Sequence, residues 1–127
     1  MEEVVKKILK EDVENKVKFI ILYGSQSNNN STPMSDIDLA IYYDGDKRER
    51  FNFRIKISGL LNKKYDVQTF QDLPLQVKKE VIKGKVLHQK DYQFFFDQVM
   101  QVIKEYDFFK KYLDMYYEGV QNTLIYS

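Results

Sequence analysis

Hydrophobic residues recur along this chain at two different spacings, and the spacings predict helices and strands in turn. Residues 2 to about 14 place apolar side chains three or four positions apart, which predicts an amphipathic helix whose apolar members are Val4, Val5, Ile8, Leu9 and Val13. Residues 18–23 contain a short continuous apolar run, which is typical of a strand buried on both faces. Ile37–Tyr43 has the same character and predicts a second strand.

The middle of the chain continues this alternation. Residues 47–62 return to helical spacing, and the apolar members of this predicted helix are Phe51, Ile55, Ile57, Leu60 and Leu61. We expect a third strand at residues 65–70, a short helix at residues 75–82 that ends before Gly84, and a last strand at residues 86–89. No linker separates two units, so the pattern predicts a single structural domain of α/β (α+β) class.

A long helical pattern closes the chain, from residue 91 to about 118. At ~1.5 Å per residue this helix would be roughly 40 Å long, which is more than a small sheet can cover. We therefore expect it either to break midway or to present part of its apolar face to another chain. Residues 91–127 are predicted to be a C-terminal helical extension that packs on the domain or on a partner.

Composition narrows the chemistry. Among 127 residues, 20 Lys and Arg face 19 Asp and Glu, so the net charge of +1 argues against a nucleic-acid binder that relies on bulk positive charge. The chain has no cysteine and one histidine, which excludes thiolate chemistry and multi-histidine zinc sites. No apolar run approaches ~18 residues and the N-terminus lacks the apolar core of a signal peptide. We therefore predict a cytoplasmic protein without membrane contact.

Two carboxylates stand at the start of the second predicted strand. Asp36 and Asp38 flank Ile37, and positions i and i+2 of a strand share one face. Adjacent carboxylates repel each other, so such a pair calls for a compensating cation. Hard oxygen ligands select Mg²⁺ or Mn²⁺, commonly together with substrate phosphates.

The end of the first predicted strand suits a phosphate. Gly24 has no side chain and lets a phosphate approach the backbone, while Ser25 adds a hydroxyl and could begin a short helix with exposed N–H groups. Asp66, in the third predicted strand, is the candidate for the third carboxylate of a two-metal site and for a general base. Together these residues indicate phosphoryl or nucleotidyl transfer.

This arrangement resembles the signature of the DNA polymerase β-type nucleotidyltransferases, and the short chain is similar to their minimal nucleotidyltransferase (MNT) branch. The resemblance covers about residues 1–90 and implies a mixed β-sheet flanked by helices. It implies that Gly24 and Ser25 bind the triphosphate of ATP and that Asp36 and Asp38 bind Mg²⁺. Asp66 matches the third acidic position, which implies two metal ions.

The C-terminal extension is similar to that of MNT antitoxins paired with HEPN toxins. The resemblance implies a type VII-like antitoxin that transfers AMP from ATP to a tyrosine of a HEPN ribonuclease and so silences it. This chain departs from many family members after Gly24-Ser25, where Gln26 and Asn28 replace arginines and offer phosphates no full charge. Either the triphosphate is bound more weakly, or an arginine elsewhere, namely Arg48, Arg50 or Arg54, takes over this contact.

Two other functions remain open at this point. The chain could be a non-catalytic antitoxin that neutralises its partner by contact, or a nucleotidyltransferase for a small molecule. The second alternative is weakened because little chain remains for an acceptor-binding region. Direct nucleic-acid binding is not expected, and a homo-oligomer is left open.

Overall fold

The computed structural model describes residues 1–24 and 36–126, with side chains in these ranges up to residue 119. Its elements are α1 Glu2–Glu11, β1 Val17–Tyr23, β2 Ile37–Tyr43, α2 Lys47–Leu60, β3 Tyr65–Thr69, α3 Leu75–Val81, β4 Lys85–Gln89 and α4 Tyr92–Tyr126. A single 3₁₀ turn, Phe70–Asp72, follows β3. The element order agrees with the sequence pattern throughout the described residues.

The four strands form one mixed sheet in the order β3-β2-β1-β4. β1 pairs antiparallel with both β2 and β4, whereas β2 and β3 are parallel. Parallel neighbours need a crossover, and α2 provides it. β1 and β2 are therefore central, as their unbroken apolar sequences require, and the predicted mixed sheet flanked by helices is confirmed.

Helices cover both faces of the sheet. On one face, Ile8 of α1 and both Phe53 and Ile57 of α2 pack against alternate residues of the strands. On the other face, Val81 of α3 and Val102 of α4 close a second apolar cluster. This second face also holds the side chains that matter for function.

The first helix is shorter than the prediction of residues 2 to about 14. The Asp12 carboxylate accepts hydrogen bonds from the backbone N–H of Lys16 at 2.9 Å and of Val17 at 2.8 Å. Asn15 adopts a left-handed conformation with φ of 58°. These features turn the chain into β1, so Val13 lies outside the helix and is 84% exposed. The prediction that Val13 belongs to the apolar face was wrong.

α2 buries a different set of residues from the one predicted. Asp46 caps its first turn and forms a reciprocal capping box with Glu49. Phe53 faces the core and stacks on Tyr43 with ring centroids 4.3 Å apart. Of the five predicted apolar members, Ile57 and Leu61 are buried, whereas Phe51, Ile55 and Leu60 are 54%, 50% and 41% exposed.

α4 does not break midway. Its first half packs on the second face of the sheet, where Phe95 meets Phe19 edge to face at 5.1 Å and Val102 is buried. Beyond Tyr106, most of the described side chains are exposed. No helix within the described part of the chain is both long and apolar enough to span a membrane.

Candidate active site

Tyr23, Asp38 and Asp66 form a row across three neighbouring strands. Tyr23 of β1 is in register with Asp38 of β2, and Asp38 is in register with Asp66 of β3. All three occupy the sheet face covered by α3 and α4, since Leu39 and Val67, their chain neighbours, belong to the opposite core. Neighbouring strands are about 4.8 Å apart, so the two carboxyl groups are direct neighbours.

Negative charge is concentrated in this row. Burial raises the pKa of the Asp38 carboxyl, and the charges of Asp66 and Asp36 and a hydrogen bond with Asp66 raise it further. Burial also raises the pKa of the Tyr23 phenol to about 12, helped by the charges of Asp38 and Asp66. A cation bound here would relieve the repulsion between these carboxylates.

Gly24 is required at the end of β1 for two reasons. Its φ is +77°, a conformation that L side chains rarely adopt. A Cβ built on it would overlap Oδ2 of Asp38. The absence of a side chain therefore makes room for a carboxylate as well as for the phosphate expected from the sequence.

The structure places the other predicted residues as follows. Asp36 lies directly before β2 and is exposed, yet it is close enough to raise the pKa of Asp38. Asp66 is exposed. Ser25, together with Gln26 and Asn28, lies outside the described residues. The structure therefore brings Asp36, Asp38, Asp66 and Gly24 to one end of the sheet.

Gln68 is a site residue that the sequence reading missed. Its Nε2 donates a hydrogen bond to Oδ1 of Asp66 at 3.0 Å. A signal was present, because Gln68 stands two residues after Asp66 in the same strand and so shares its face. This contact holds the Asp66 side chain in one orientation.

The donor chemistry at this end of the sheet fits Mg²⁺. Among residues 1–24 and 36–119, no three His, Cys, Asp or Glu side chains are grouped so that they could hold a metal ion. The partly buried Asp38 and the exposed Asp66 nevertheless present adjacent carboxylates, and hard oxygen donors suit this cation. Mg²⁺ commonly uses one or two carboxylates and takes its remaining ligands from water and substrate phosphates.

Comparison with known families identifies the chain. Residues 3–93 match the family described as Polymerase beta, Nucleotidyltransferase. The chain belongs to this family. The prediction that it is a nucleotidyltransferase is therefore confirmed, and the match extends from the second residue of α1 through β4.

One curated relative of this nucleotidyltransferase is a protein of Methanocaldococcus jannaschii that is provisionally named a protein adenylyltransferase. The two are 41% identical over 70 residues, which is 55% of this chain and 53% of the relative. The chain thus spans about half the length of the curated relative it matches.

Solved toxin–antitoxin structures share the fold. One chain of a toxin–antitoxin crystal structure with AMP-PNP matches with a TM-score of 0.73 and 22% identity, over 94% of this chain and 98% of that one. A chain from the complex of a tri-AMPylated Shewanella oneidensis HEPN toxin with its MNT antitoxin matches with a TM-score of 0.67 and 21% identity, over 94% and 95% of the two chains. The predicted polymerase β-type nucleotidyltransferase fold with a long C-terminal helix is confirmed.

Proposed function

We propose that this nucleotidyltransferase transfers AMP from ATP to a tyrosine hydroxyl of a HEPN ribonuclease toxin and acts as its antitoxin. The observation that carries the proposal is the register of Asp38 with Asp66 beside Gly24. The name of the Methanocaldococcus relative supports a protein acceptor. The toxin–antitoxin structures that share the fold support a toxin as that acceptor.

Each site residue has a role in this proposal. Gly24 and Ser25 bind the triphosphate. Asp38 and Asp66 would hold Mg²⁺ from their paired positions, and the exposed Asp36 and the triphosphate would supply further oxygen ligands for the two ions expected. When bound, Mg²⁺ supplies Lewis-acid polarisation of the α-phosphate and compensates the charge that develops on it. Asp38 is the acid that interacts with both of the others, because it is in register with Asp66 and the charge of Asp36 raises its pKa.

The reaction itself is a displacement at phosphorus. The acceptor oxygen bonds to the α-phosphorus of ATP, the bond from that phosphorus to the bridging oxygen of the β-phosphate breaks, and pyrophosphate leaves. The proton of the acceptor hydroxyl passes to the Asp66 carboxylate, which is exposed and so accessible to a second protein. Gln68 keeps this carboxylate oriented for the transfer.

In this proposal, the two parts of the chain have different roles. Residues 1–90 form the minimal nucleotidyltransferase domain and carry the nucleotide and the acids. Residues 91–127 form the extension that contacts the toxin, which gives the exposed second half of α4 a purpose.

The decisive experiment replaces Asp36→Asn and Asp38→Asn together. We expect AMP transfer from ATP to the purified toxin to fall at least about 1,000-fold, since charge compensation at the phosphate is lost. Transfer is measured by the mass gained by the toxin. The control is Asp44→Asn with Asp97→Asn, two exposed carboxylates away from the site, and it should transfer AMP at the wild-type rate.

The toxin's ribonuclease activity separates the enzymatic role from neutralisation by contact. If the Asp36→Asn, Asp38→Asn protein still silences the toxin fully at equimolar concentration, AMP transfer is not how this protein acts. If it silences only while bound and in excess, both contact and modification contribute.

A further inference from the structure

An open groove of about 290 Å³ runs between α2 and β3 on the outer side of the sheet. β3 is the last strand in the order of the described sheet, so this groove borders a sheet edge. The residues that line it are Lys47, Phe51, Arg54, Gln68, Thr69 and Asp72. Phe51, Lys47 and Arg54 line this groove together, and neither the packing of the core nor the proposed site accounts for this grouping.

The groove is electropositive. Asp72 is already compensated, because Arg50 donates to both of its oxygens at 3.0 and 2.7 Å and Thr69 donates to one of them. Lys47 and Arg54 form no salt bridge with any residue that the structure describes. The Arg54 guanidinium lies 5.5 Å from the centre of the Phe51 ring, which is itself 54% exposed.

The groove leads to the active site. Gln68 lines it and at the same time donates to Asp66, the proposed general base. Since β2 and β3 are parallel, the crossover helix α2 runs against β3. Lys47 at the start of α2 is thus near Thr69 and Asp72, and Arg54, about 10 Å further along the helix, is nearer to Asp66.

We propose that this groove binds an acidic segment of the acceptor protein, close in sequence to the hydroxyl that receives AMP. The inference rests on the proposed function and names its substrate class. Charge favours this occupant. Lys47 and Arg54 are in no salt bridge within the described part of the chain, and guanidinium groups bind carboxylates in a bidentate manner. The distance from Lys47 to Arg54 equals about three residues of extended chain.

Size argues against a nucleotide in the groove. Pockets that enclose small-molecule ligands typically have about 300–1,000 Å³, and this groove lies at the lower limit and is open. It has room for a few side chains of an extended segment. Its exposed aromatic ring and its position on a sheet edge also suit a peptide.

Binding of a defined peptide tests the groove without catalysis. The probe is a fluorescein-labelled decapeptide with three consecutive glutamates and one tyrosine three residues away. In the control peptide, the three glutamates are replaced by glutamines and the tyrosine is kept. We expect the Lys47→Glu, Arg54→Glu protein to bind the acidic peptide at least about tenfold more weakly in fluorescence anisotropy, since attraction becomes repulsion. The wild-type affinity for this peptide should fall as salt is raised.

The matched control is Lys6→Glu with Lys7→Glu. These residues are exposed, do not line the groove, and give the same change in net charge. We expect the control protein to bind both peptides as the wild type does. A second variant, Phe51→Ala, should weaken binding of the acidic peptide while keeping the net charge. Thermal unfolding of each variant verifies that it is folded.

Three results would overturn the inference: equal binding of the acidic and glutamine peptides, equal loss in the control protein, or displacement of the peptide by ATP alone. AMP transfer to the same peptides is measured separately. Transfer that is equal for both peptides and insensitive to Lys47→Glu, Arg54→Glu refutes the groove but not the enzyme. Groove-dependent binding without any transfer, to peptides or to toxin, supports the groove and refutes the proposed reaction.

Discussion

Asp38 is held in a position where its own charge is unfavourable. Burial and the neighbouring carboxylates disfavour its ionised form, so without a cation the site destabilises the fold. We predict that Asp38→Asn raises the Tm of the metal-free protein at pH 7 by a few degrees. Differential scanning fluorimetry measures this directly.

We also expect a change in Tm when differential scanning fluorimetry is repeated with ATP and roughly 5–10 mM MgCl₂. Ligands that bind only the native state raise the Tm, so the wild type should be stabilised and Asp38→Asn should respond less. An Asp38→Asn protein that unfolds earlier than the metal-free wild type would contradict the idea that this residue is strained by its neighbours.

Gly24 combines a left-handed backbone with contact to the same carboxylate. Gly24→Ala should lower the free energy of unfolding by about 1–2 kcal/mol because of its φ of +77°. Transfer of AMP should fall by about 100-fold, since the new methyl group displaces Asp38. Urea unfolding and the transfer assay measure the two effects.

Gly59→Ala is the matched control for Gly24→Ala. An added Cβ at Gly59 has no heavy atom within 4 Å, and the residue is in α2. We expect a gain in stability of about 0.5–1 kcal/mol and unchanged activity. If both replacements had the same effect on transfer, the contact between Gly24 and Asp38 would not be responsible.

At the scale of single residues, the sequence predicted the acids better than their partners. Asp36 and Asp38 were found because strand geometry fixes the face shared by positions i and i+2. The register of Asp38 with Asp66 depends on how α2 returns the chain to the sheet, which no local pattern encodes. Tyr23 was missed for the same reason. Gln68 shares the face of Asp66 within one strand, so its spacing of two residues could have indicated it.

Among the elements, α2 is tied to the turn after β3 by Arg50. Its guanidinium binds Asp72 and also donates to the Gly45 carbonyl at 2.9 Å. The Arg50 hydrogen bond lowers the pKa of the Asp72 carboxyl below its usual 3.8, with a further contribution from Thr69. The ionised form is thus favoured in the folded protein.

Asp72→Asn tests this connection through its pH dependence. A carboxyl whose pKa is lowered by folding adds stability above its unfolded pKa, and this stability is lost as the pH falls through the folded value. We expect the variant to lose at most about 1 kcal/mol at pH 7, because the pair is partly exposed, and the difference from wild type to shrink as the pH drops below 3.8.

Chemical denaturation at a series of pH values gives these free energies. Asp44→Asn serves as the comparison, since its carboxylate is 3.9 Å from Lys18 and largely exposed. A pH-independent effect of Asp72→Asn would show that the carboxylate charge contributes nothing.

Boundaries of elements were where sequence patterns failed. The spacing around Val13 continued the helix, but the Asp12 carboxylate competes with the helical backbone and ends α1 at Glu11. In α2, Phe51 and Phe53 were equally apolar by sequence, and tertiary packing selected Phe53. Both outcomes depend on specific contacts, namely a side-chain hydrogen bond to the backbone and the packing of one aromatic ring. The spacing of apolar residues gives no information about such contacts.

In the whole molecule, the continuous helix α4 decides between two alternatives that the sequence left open, namely a break midway or an apolar face left uncovered by the domain. Its first half packs on the sheet, whereas Phe108, Tyr112 and Met115 are 75%, 64% and 71% exposed. Their spacing of four and three residues places them on one side of the helix. Both halves of α4 have apolar residues at helical spacing. The sequence therefore could not show that only the first half packs on the sheet.

Replacing Phe108, Tyr112 and Met115 by glutamine tests the role of the extension. We expect the free energy of unfolding to change by no more than about 0.5 kcal/mol for each exposed site, while affinity for the HEPN toxin proposed as the partner falls at least about tenfold. Isothermal titration calorimetry measures the affinity. Val102→Ala, at a residue only 3% exposed on the same helix, should instead cost about 1–3 kcal/mol of stability.

Because β3 lies at the edge of the described sheet, the candidate active site is assembled only while this strand is docked. One of the two paired acids is carried by a five-residue strand with a single strand neighbour. Edge segments of this kind open more readily than the centre of a fold, without global unfolding. Each opening separates Asp66 from Asp38, so the fraction of time that the site is assembled equals the fraction of time that β3 stays docked. A partner that rests against β3 would lengthen that time, and the acceptor would help to assemble the site that modifies it.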